Sequence, residues 1–477
     1  MRFEHISFIL FVSCLSAGAT VPTEAELSPS TTSLLPRETS PANPSLLKGF
    51  LKLETDEYIN AGETYFRSGA QGSNVSTTLA LANDLRLSPT GTARLALSDQ
   101  YSVSERWNYL NVNEAYVTYH QGDAHLSAGR KLDNWAEWEK TWKQGVFEPR
   151  YTQNRMHPEM AGLTGVFFSN HNGPWAVTVG ALPINIPEFG PHFSVQDDKF
   201  VSPNPWFQAP ASEFRYQNVN TELHYSLQQP RLSDIVEKAG AIAKSEYHSG
   251  AWLGRVTYAY KPAPQLAIGF PSDGLYQLPD YPKITIHPRV IYDRVANADV
   301  VYERGRVSAS ASLGYDNPED DKGPAAWTSQ VVSPAWIYSG HVALQLEDSG
   351  PHAARVEAGF LKVLGGYARD SGGLADDRSK FDRRFQYYEA YLVGYQREFR
   401  LGLASPFGTQ VRVIYDRMQR GGVFNLNLGY PLSKSWRADF GLDLLGLLDD
   451  GQAPIRDGFL SVFRANDRVG LGVSYVF

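Results

Sequence analysis

Cysteine is almost absent from this 477-residue chain. Cys14 is the only one, so neither a disulfide framework nor a cysteine metal site is available. An excess of basic charge is also lacking. With 44 Lys and Arg against 51 Asp and Glu, the net charge of −7 leaves no electrostatic footprint for nucleic acid, and none is expected as a partner. Past the N-terminus no run approaches the roughly 18–20 apolar residues that a membrane-spanning helix requires. That excludes a helical membrane protein and leaves open one that crosses with strands. There is no Gly-x-Ser-x-Gly elbow and no His-Glu-x-x-His pair. The 11 His residues show no metal-ligand spacing. No catalytic residue, metal or cofactor is therefore expected.

What is present begins with an address label. Arg2 precedes the apolar stretch Ile6–Val12, and Ala17-Gly18-Ala19 is the small-x-small pattern cut by a signal peptidase. Residues 1–19 read as a signal peptide, with lipoprotein processing at Cys14 as the alternative. Residues 20–45, rich in Ser, Thr and Pro, bury too little apolar surface to fold alone and read as a disordered periplasmic lead.

From residue 46 to 477 the dominant period is two. Leu51 and Leu53 alternate with Lys52 and Glu54. Val219, Thr221, Leu223, Tyr225 and Leu227 alternate with Asn220, Glu222, His224 and Ser226. Trp436, Ala438, Phe440, Leu442 and Leu444 alternate with Arg437, Asp439, Gly441 and Asp443. Strict alternation sets one face of a strand in an apolar phase and the other in a wet one. Aromatic residues gather near strand ends, as at Tyr116 and Tyr119, Tyr258 and Tyr260, and Tyr387 to Tyr395, the composition of an interfacial girdle. Spacers are tight at Ser88–Gly91, Gln121–Asp123, Asn170–Gly173, Arg304–Arg306, Asp348–Gly350 and Pro431–Lys434. They are long over 131–161, 182–213, 316–337 and 363–384. Tight periplasmic turns and long outer loops mark an all-β, single closed antiparallel transmembrane barrel. The expected strand count is about 18, within roughly 16 to 20. Leu232, Ile235, Val236, Ala239, Ile242 and Ala243 fall at helical spacing, which predicts a short helix covering or plugging one barrel end over 232–244.

The closing segment Val469-Gly-Leu471-Gly-Val473-Ser-Tyr475-Val-Phe477 is apolar at every second position and ends on Phe. It resembles the terminal strand of Gram-negative outer-membrane β-barrel proteins. That resemblance implies an outer-membrane location after cleavage near Ala19, contact with lipid and lipopolysaccharide, and recognition of Tyr475 and Phe477 by the barrel-assembly machinery. Ser169-Asn-His171-Asn-Gly173 only faintly resembles the catalytic stretch of outer-membrane phospholipases, since its Ser precedes its His.

Pore-lining candidates are the charged residues in the wet phase: Arg86, Arg94, Arg215, Arg255, Arg355, Arg412 and Arg437, with Asp84, Glu222 and Asp439. Asp443 shares that phase. Rings of such residues set ion preference in a pore. A second group lies in the long spacer 131–161, where Trp135, Trp138 and Trp142 recur at intervals of three and four among Lys140, Lys143 and Arg150. Flat rings beside charged donors suit saccharides, and the loop, folded inward, would constrict the lumen; the alternative is that the rings merely pack it against the wall. Two functions fit. One is a porin passing small polar or anionic solutes, possibly saccharides. The other is an export barrel for an acidic polysaccharide, similar to alginate-type exporters and served by a periplasmic export partner. A surface receptor or adhesin is a lesser reading.

Overall fold

The computed structural model describes residues 48–59, 72–210, 212–216, 219–271, 283–320, 327–346, 354–366, 368–370, 384–399, 407–448 and 458–477. The expected signal peptide and lead lie outside them, as does the Asp348–Gly350 spacer.

Eighteen strands form the wall: β1 Lys48–Tyr58, β2 Ser73–Ser88, β3 Gly91–Ser102, β4 Trp107–Gln121, β5 Ala124–Lys131, β6 Leu163–Asn172, β7 Trp175–Ile184, β8 Gly240–Ser249, β9 Trp252–Pro262, β10 Tyr292–Arg304, β11 Val307–Pro318, β12 Ala335–Gln345, β13 Ala354–Gly365, β14 Glu389–Phe399, β15 Phe407–Asp416, β16 Gly421–Pro431, β17 Trp436–Leu447 and β18 Arg468–Val476. Each pairs antiparallel with its neighbours in sequence. β18 closes on β1 from Phe50↔Val476 to Tyr58↔Arg468. Closure matters because an open edge in hydrocarbon would leave backbone groups unpaired.

The alternation expected from the sequence sorts the side chains. Leu51, Leu53, Val117, Leu126, Val177, Val256, Val300, Val342, Val393, Val413 and Leu471 are exposed on the outer face. Aromatic pairs bracket that apolar band. Trp175–Tyr247, Trp252–Tyr302 and Trp436–Tyr475 lie at one end, and Tyr260–Tyr292 and Tyr315–Trp336 at the other. An apolar belt between two aromatic girdles suits a bilayer between two water phases. This is the architecture of a Gram-negative outer-membrane barrel.

The first girdle sits at the end with tight turns. Four of these, at Gly122, Gly173, Gly250 and Gly305, hold glycine at φ of 58–59°, a left-handed conformation that costs glycine nothing. In this architecture the tight-turn end is periplasmic and the long-loop end external.

Three expectations change. Residues 232–244 are not one helix. A short helix over Leu232–Val236 gives way to β8 at Gly240, so Ile242 and Ala243 belong to the wall and a tight turn follows Ser249. Val219–Leu227 is not a wall strand. Val219–Glu222 forms a hairpin with Glu213–Tyr216 in the outer loop, and His224–Leu227 joins a sheet made of loop segments. Tyr387 is buried inside the barrel and takes no part in a girdle.

The largest buried apolar cluster is inside the barrel, toward the loop end. Inward-facing Phe167, Leu182, Ile242, Val295, Ile337, Leu361, Leu392, Ile414 and Val423 line the wall there. Against them pack Trp135, Trp138, Trp142 and Phe147 from the loop after β5, Trp206 from the loop after β7, and Phe459, Leu460 and Phe463 from a helical turn before β18. Packed side chains thus fill much of the outer half of the lumen.

Candidate functional site: a loop pinned across the lumen

The loop over 132–162 leaves β5 and returns to β6 almost at the same point. Arg130 Nε donates to the Gly162 carbonyl at 3.1 Å. A Cβ on Gly162 would sit 2.3 Å from the Lys131 carbonyl carbon, so only glycine fits where the two limbs meet. Between these points the chain runs inside the barrel.

The descending limb carries the helix α1, Glu137–Trp142, which ends with Lys143 in the left-handed region and Gly145 at φ 76°. This reversal points three backbone N–H groups at one carboxylate. Glu139 accepts from Gly145 at 3.0 Å, Val146 at 2.6 Å and Phe147 at 3.3 Å. Burial pushes the Glu139 carboxyl up, and the three N–H donors offset only part of that rise. Glu148 is pushed well above the usual carboxylate range by burial; it accepts from the Asp133 N–H and from Trp135 Nε1.

Wall residues then fix the loop from the far side. Arg255 on β9 bonds Glu246 at 2.8 Å, Asp299 at 3.1 Å and Glu137 of α1 at 3.2 Å. Lys244 on β8 meets Asp133 at 2.9 Å, and Lys261 donates to the Val146 carbonyl at 2.9 Å. Trp138 Nε1 donates to Asn297 at 3.0 Å, Trp142 Nε1 to Ser339 at 3.2 Å, and Arg412 to the Thr141 carbonyl at 2.9 Å. The returning limb is tied to other strands. Ser98 of β3 and Asn111 of β4 donate to Glu159, and His157 lies 2.9 Å from Asp443 on β17. A second loop joins in, since Arg150 pairs at 3.0 Å with Glu188 from the loop after β7. The loop therefore spans the lumen as a diaphragm anchored on several sides.

The Trp rings do not face the pore. Trp135, Trp138 and Trp142 are 1%, 1% and 3% exposed, their flat faces against the apolar wall and their N–H groups satisfied. The expectation of a ring surface offered to sugars is corrected accordingly: rings at this spacing share a face, and here that face is the one that buries. Arg150 is equally enclosed by its pair with Glu188. Lys143 caps α1 half-buried, and burial with Arg412 nearby pushes its ammonium down to about 8. Lys140 is the diaphragm's open charge, with a side chain 55% exposed and 3.0 Å from Glu137.

Of the wet-phase candidates, register places Asp84, Arg86, Arg94, Arg255, Arg355, Arg412, Arg437 and Asp439 on the lumen face. Arg94 bridges Asp84 at 2.9 Å and Glu114, and Arg437 meets Asp439 at 2.8 Å. Arg355 is exposed and 3.8 Å from Glu357. Arg215 and Glu222 are not on the wall. They occupy the outer-loop hairpin, where Glu222 pairs with Lys199. Glu139 and Glu148 stand among the charged residues interleaved with the tryptophans in the sequence, whereas Lys244, Lys261 and Asp299, the buried wall charges that hold the loop, were missed. Lys244 carried a signal in its period-two spacing with Glu246, but it was obscured by the helical reading of 232–244.

Comparison with protein families and with curated proteins finds no match. Solved structures of similar outline include OccK11 (OpdR) of Pseudomonas aeruginosa, at 10% identity over 90% of this chain and 95% of that one, TM-score 0.43. A loop L8 deletion mutant of OmpT, an outer membrane protein of Vibrio cholerae, has 9% identity over 90% and 98%, TM-score 0.38. A mutant of the Rh. blastica porin has 10% identity over 91% and 99%, TM-score 0.37. The geometry above stands without them.

Proposed function

We propose that the chain is an outer-membrane channel that admits small polar solutes through a narrowed, water-filled lumen. The observation that carries this reading is the segment 132–162, bonded to β3, β4, β8, β9, β10, β12, β15 and β17 from inside the barrel. An 18-stranded wall alone encloses a wide aqueous channel. A diaphragm across it leaves a small passage, in which size and rim charge decide what enters. Charges of both signs stand there, with Lys140, Lys143, Arg412 and Arg355 against Glu137 and Glu357. That mixture suits small anionic or zwitterionic solutes. Removal of residues 1–19, lipopolysaccharide around the outer loops, and assembly through Phe477 belong to the same reading. Export of an acidic polysaccharide would use the lumen arginines as a guide and the tryptophan loop as a gate; with those rings buried and the arginines paired with carboxylates, no observation favours it over passive entry.

The test is conductance of refolded residues 20–477 in planar bilayers under asymmetric salt. Stable small steps with a measurable reversal potential are expected. Replacing residues 134–157 by a short Gly-Ser linker should raise the step size severalfold. A folded barrel that is silent both with and without the loop would refute a channel.

A further inference from the structure

The fold collects three of the scattered histidines at the periplasmic rim. His120 is the penultimate residue of β4 and His125 the second of β5, on either side of the two-residue turn Gly122–Asp123, and the register pairs them directly, two residues along from the lumen-facing pair Thr118–Ser127 and so on the same face. Their Nδ1 atoms face each other at 2.9 Å. His171, at the end of β6, is exposed with its ring centroid 5.4 Å from that of His125. On the far side of His120, Nε2 lies 3.3 Å from Thr92 Oγ1.

That last contact is the informative one. When Nε2–H donates to a hydroxyl, the neutral imidazole keeps its lone pair on Nδ1, and an outer partner of this kind is what orients a metal-bound histidine. We propose that His120 and His125 form a two-imidazole clamp for a divalent transition metal of the Zn²⁺ class, with His171 swinging in as a third ligand and Thr92 fixing the tautomer. Among the described residues no three such side chains converge as a ready-made cage, so the clamp closes on the ion. The adjustment is small. Two imidazole nitrogens bound at about 2.0–2.1 Å around a tetrahedral ion stand roughly 3.3 Å apart, against the 2.9 Å seen here. Half-buried rings on a strand pair are held in register, and the exposed rim lets water complete the coordination. A bound dication at this mouth would repel cations approaching from the periplasm.

The test uses the refolded full barrel, stripped with chelator and titrated with ZnCl₂ by calorimetry. One ion per chain at micromolar affinity is expected. His120→Ala or His125→Ala should abolish binding, and His171→Ala should weaken it. Thr92→Val should cost about tenfold, as loss of an outer-shell partner does. His224→Ala, on an outer loop, should change nothing. All variants keep the strand ladder, and their folding is checked by heat-modifiable gel mobility. Wild-type titration indistinguishable from that of a His120→Gln/His125→Gln double variant would overturn the clamp, leaving the pair as a hydrogen bond that braces the rim.

Discussion

Arg255 is the point at which the diaphragm is most vulnerable. Its side chain is 4% exposed, and Asp299 beneath it is wholly enclosed. Glu246, Asp299 and Glu137 share its guanidinium, so Arg255→Ala leaves two wall carboxylates and one loop carboxylate without their common cation. Breaking a buried ion pair by removing one partner costs about 3–5 kcal/mol, most of it from the stranded charge. The barrel can bear that cost, since its closed strand ladder does not depend on this residue. The loop can escape it by letting Glu137 move away into water. Each 1.4 kcal/mol is about a factor of ten in an equilibrium, so even the lower figure shifts docking by roughly a hundredfold. The expected result in planar bilayers is a larger mean conductance with strong open-channel noise. Arg255→Met combined with Asp299→Asn and Glu246→Gln removes the two stranded wall charges, leaves Glu137 paired with Lys140, and should restore quiet, narrow steps. A folded Arg255→Ala barrel with unchanged conductance and noise would refute the pinning argument, because it would mean the tryptophan contacts hold the loop unaided.

Other consequences can be measured on the same preparation. Residues 20–477 contain no cysteine, so single cysteines report access. Lys140→Cys should react rapidly with a charged thiol reagent and change conductance, whereas Ile337→Cys, under the loop, should stay unlabelled. Trp138→Ala removes a buried ring and strands Asn297; a loss of about 3–5 kcal/mol in loop docking is expected, read as channel noise and faster protease cleavage within 132–162. Lys143, pushed down to about 8 by burial and by Arg412, is charged below that pH and neutral above it. Reversal potentials should therefore shift toward cation preference as pH rises through about 8. The shift should be absent in Lys143→Met. Between about 8 and the ordinary lysine range the folded chain binds fewer protons than the unfolded one, so the same residue makes docking more favourable with rising pH.

The wall was legible in the sequence because a strand buried on one face writes its geometry into every second residue. Leu51, Leu53, Leu471 and Val473 needed only that period to be placed in lipid, and Arg437, Asp439 and Asp443 to be placed inside. The same period misplaced Arg215 and Glu222, for a physical reason. A two-stranded hairpin in a loop, with one face against its neighbours, alternates just as a wall strand does. Period two reports a half-buried strand and is silent on which sheet it joins.

The diaphragm was harder to read, because its evidence lies in what departs from alternation. On β13, Phe360 and Leu364 face lipid while Leu361 and Val363 face inward, and on β17 Leu444 and Leu445 do the same. A strand apolar on both sides is buried on both sides, so something must cover its inner face. Those runs require an occupant for the outer half of the lumen, which alternation alone does not reveal, and the three tryptophans at helical spacing give a loop with one large apolar face. Taken separately, the first looks like strong membrane signal and the second like a sugar platform. Taken together they are two halves of one interface, and the rings are the half that fills the barrel. The charges followed the same logic in reverse. Lys244 and Lys261, on inward positions beside apolar neighbours, needed polar partners beyond the wall, and Arg255, already paired with Glu246 and Asp299, took a third from the loop. The loop supplied them with Asp133, Glu137 and the carbonyl of Val146.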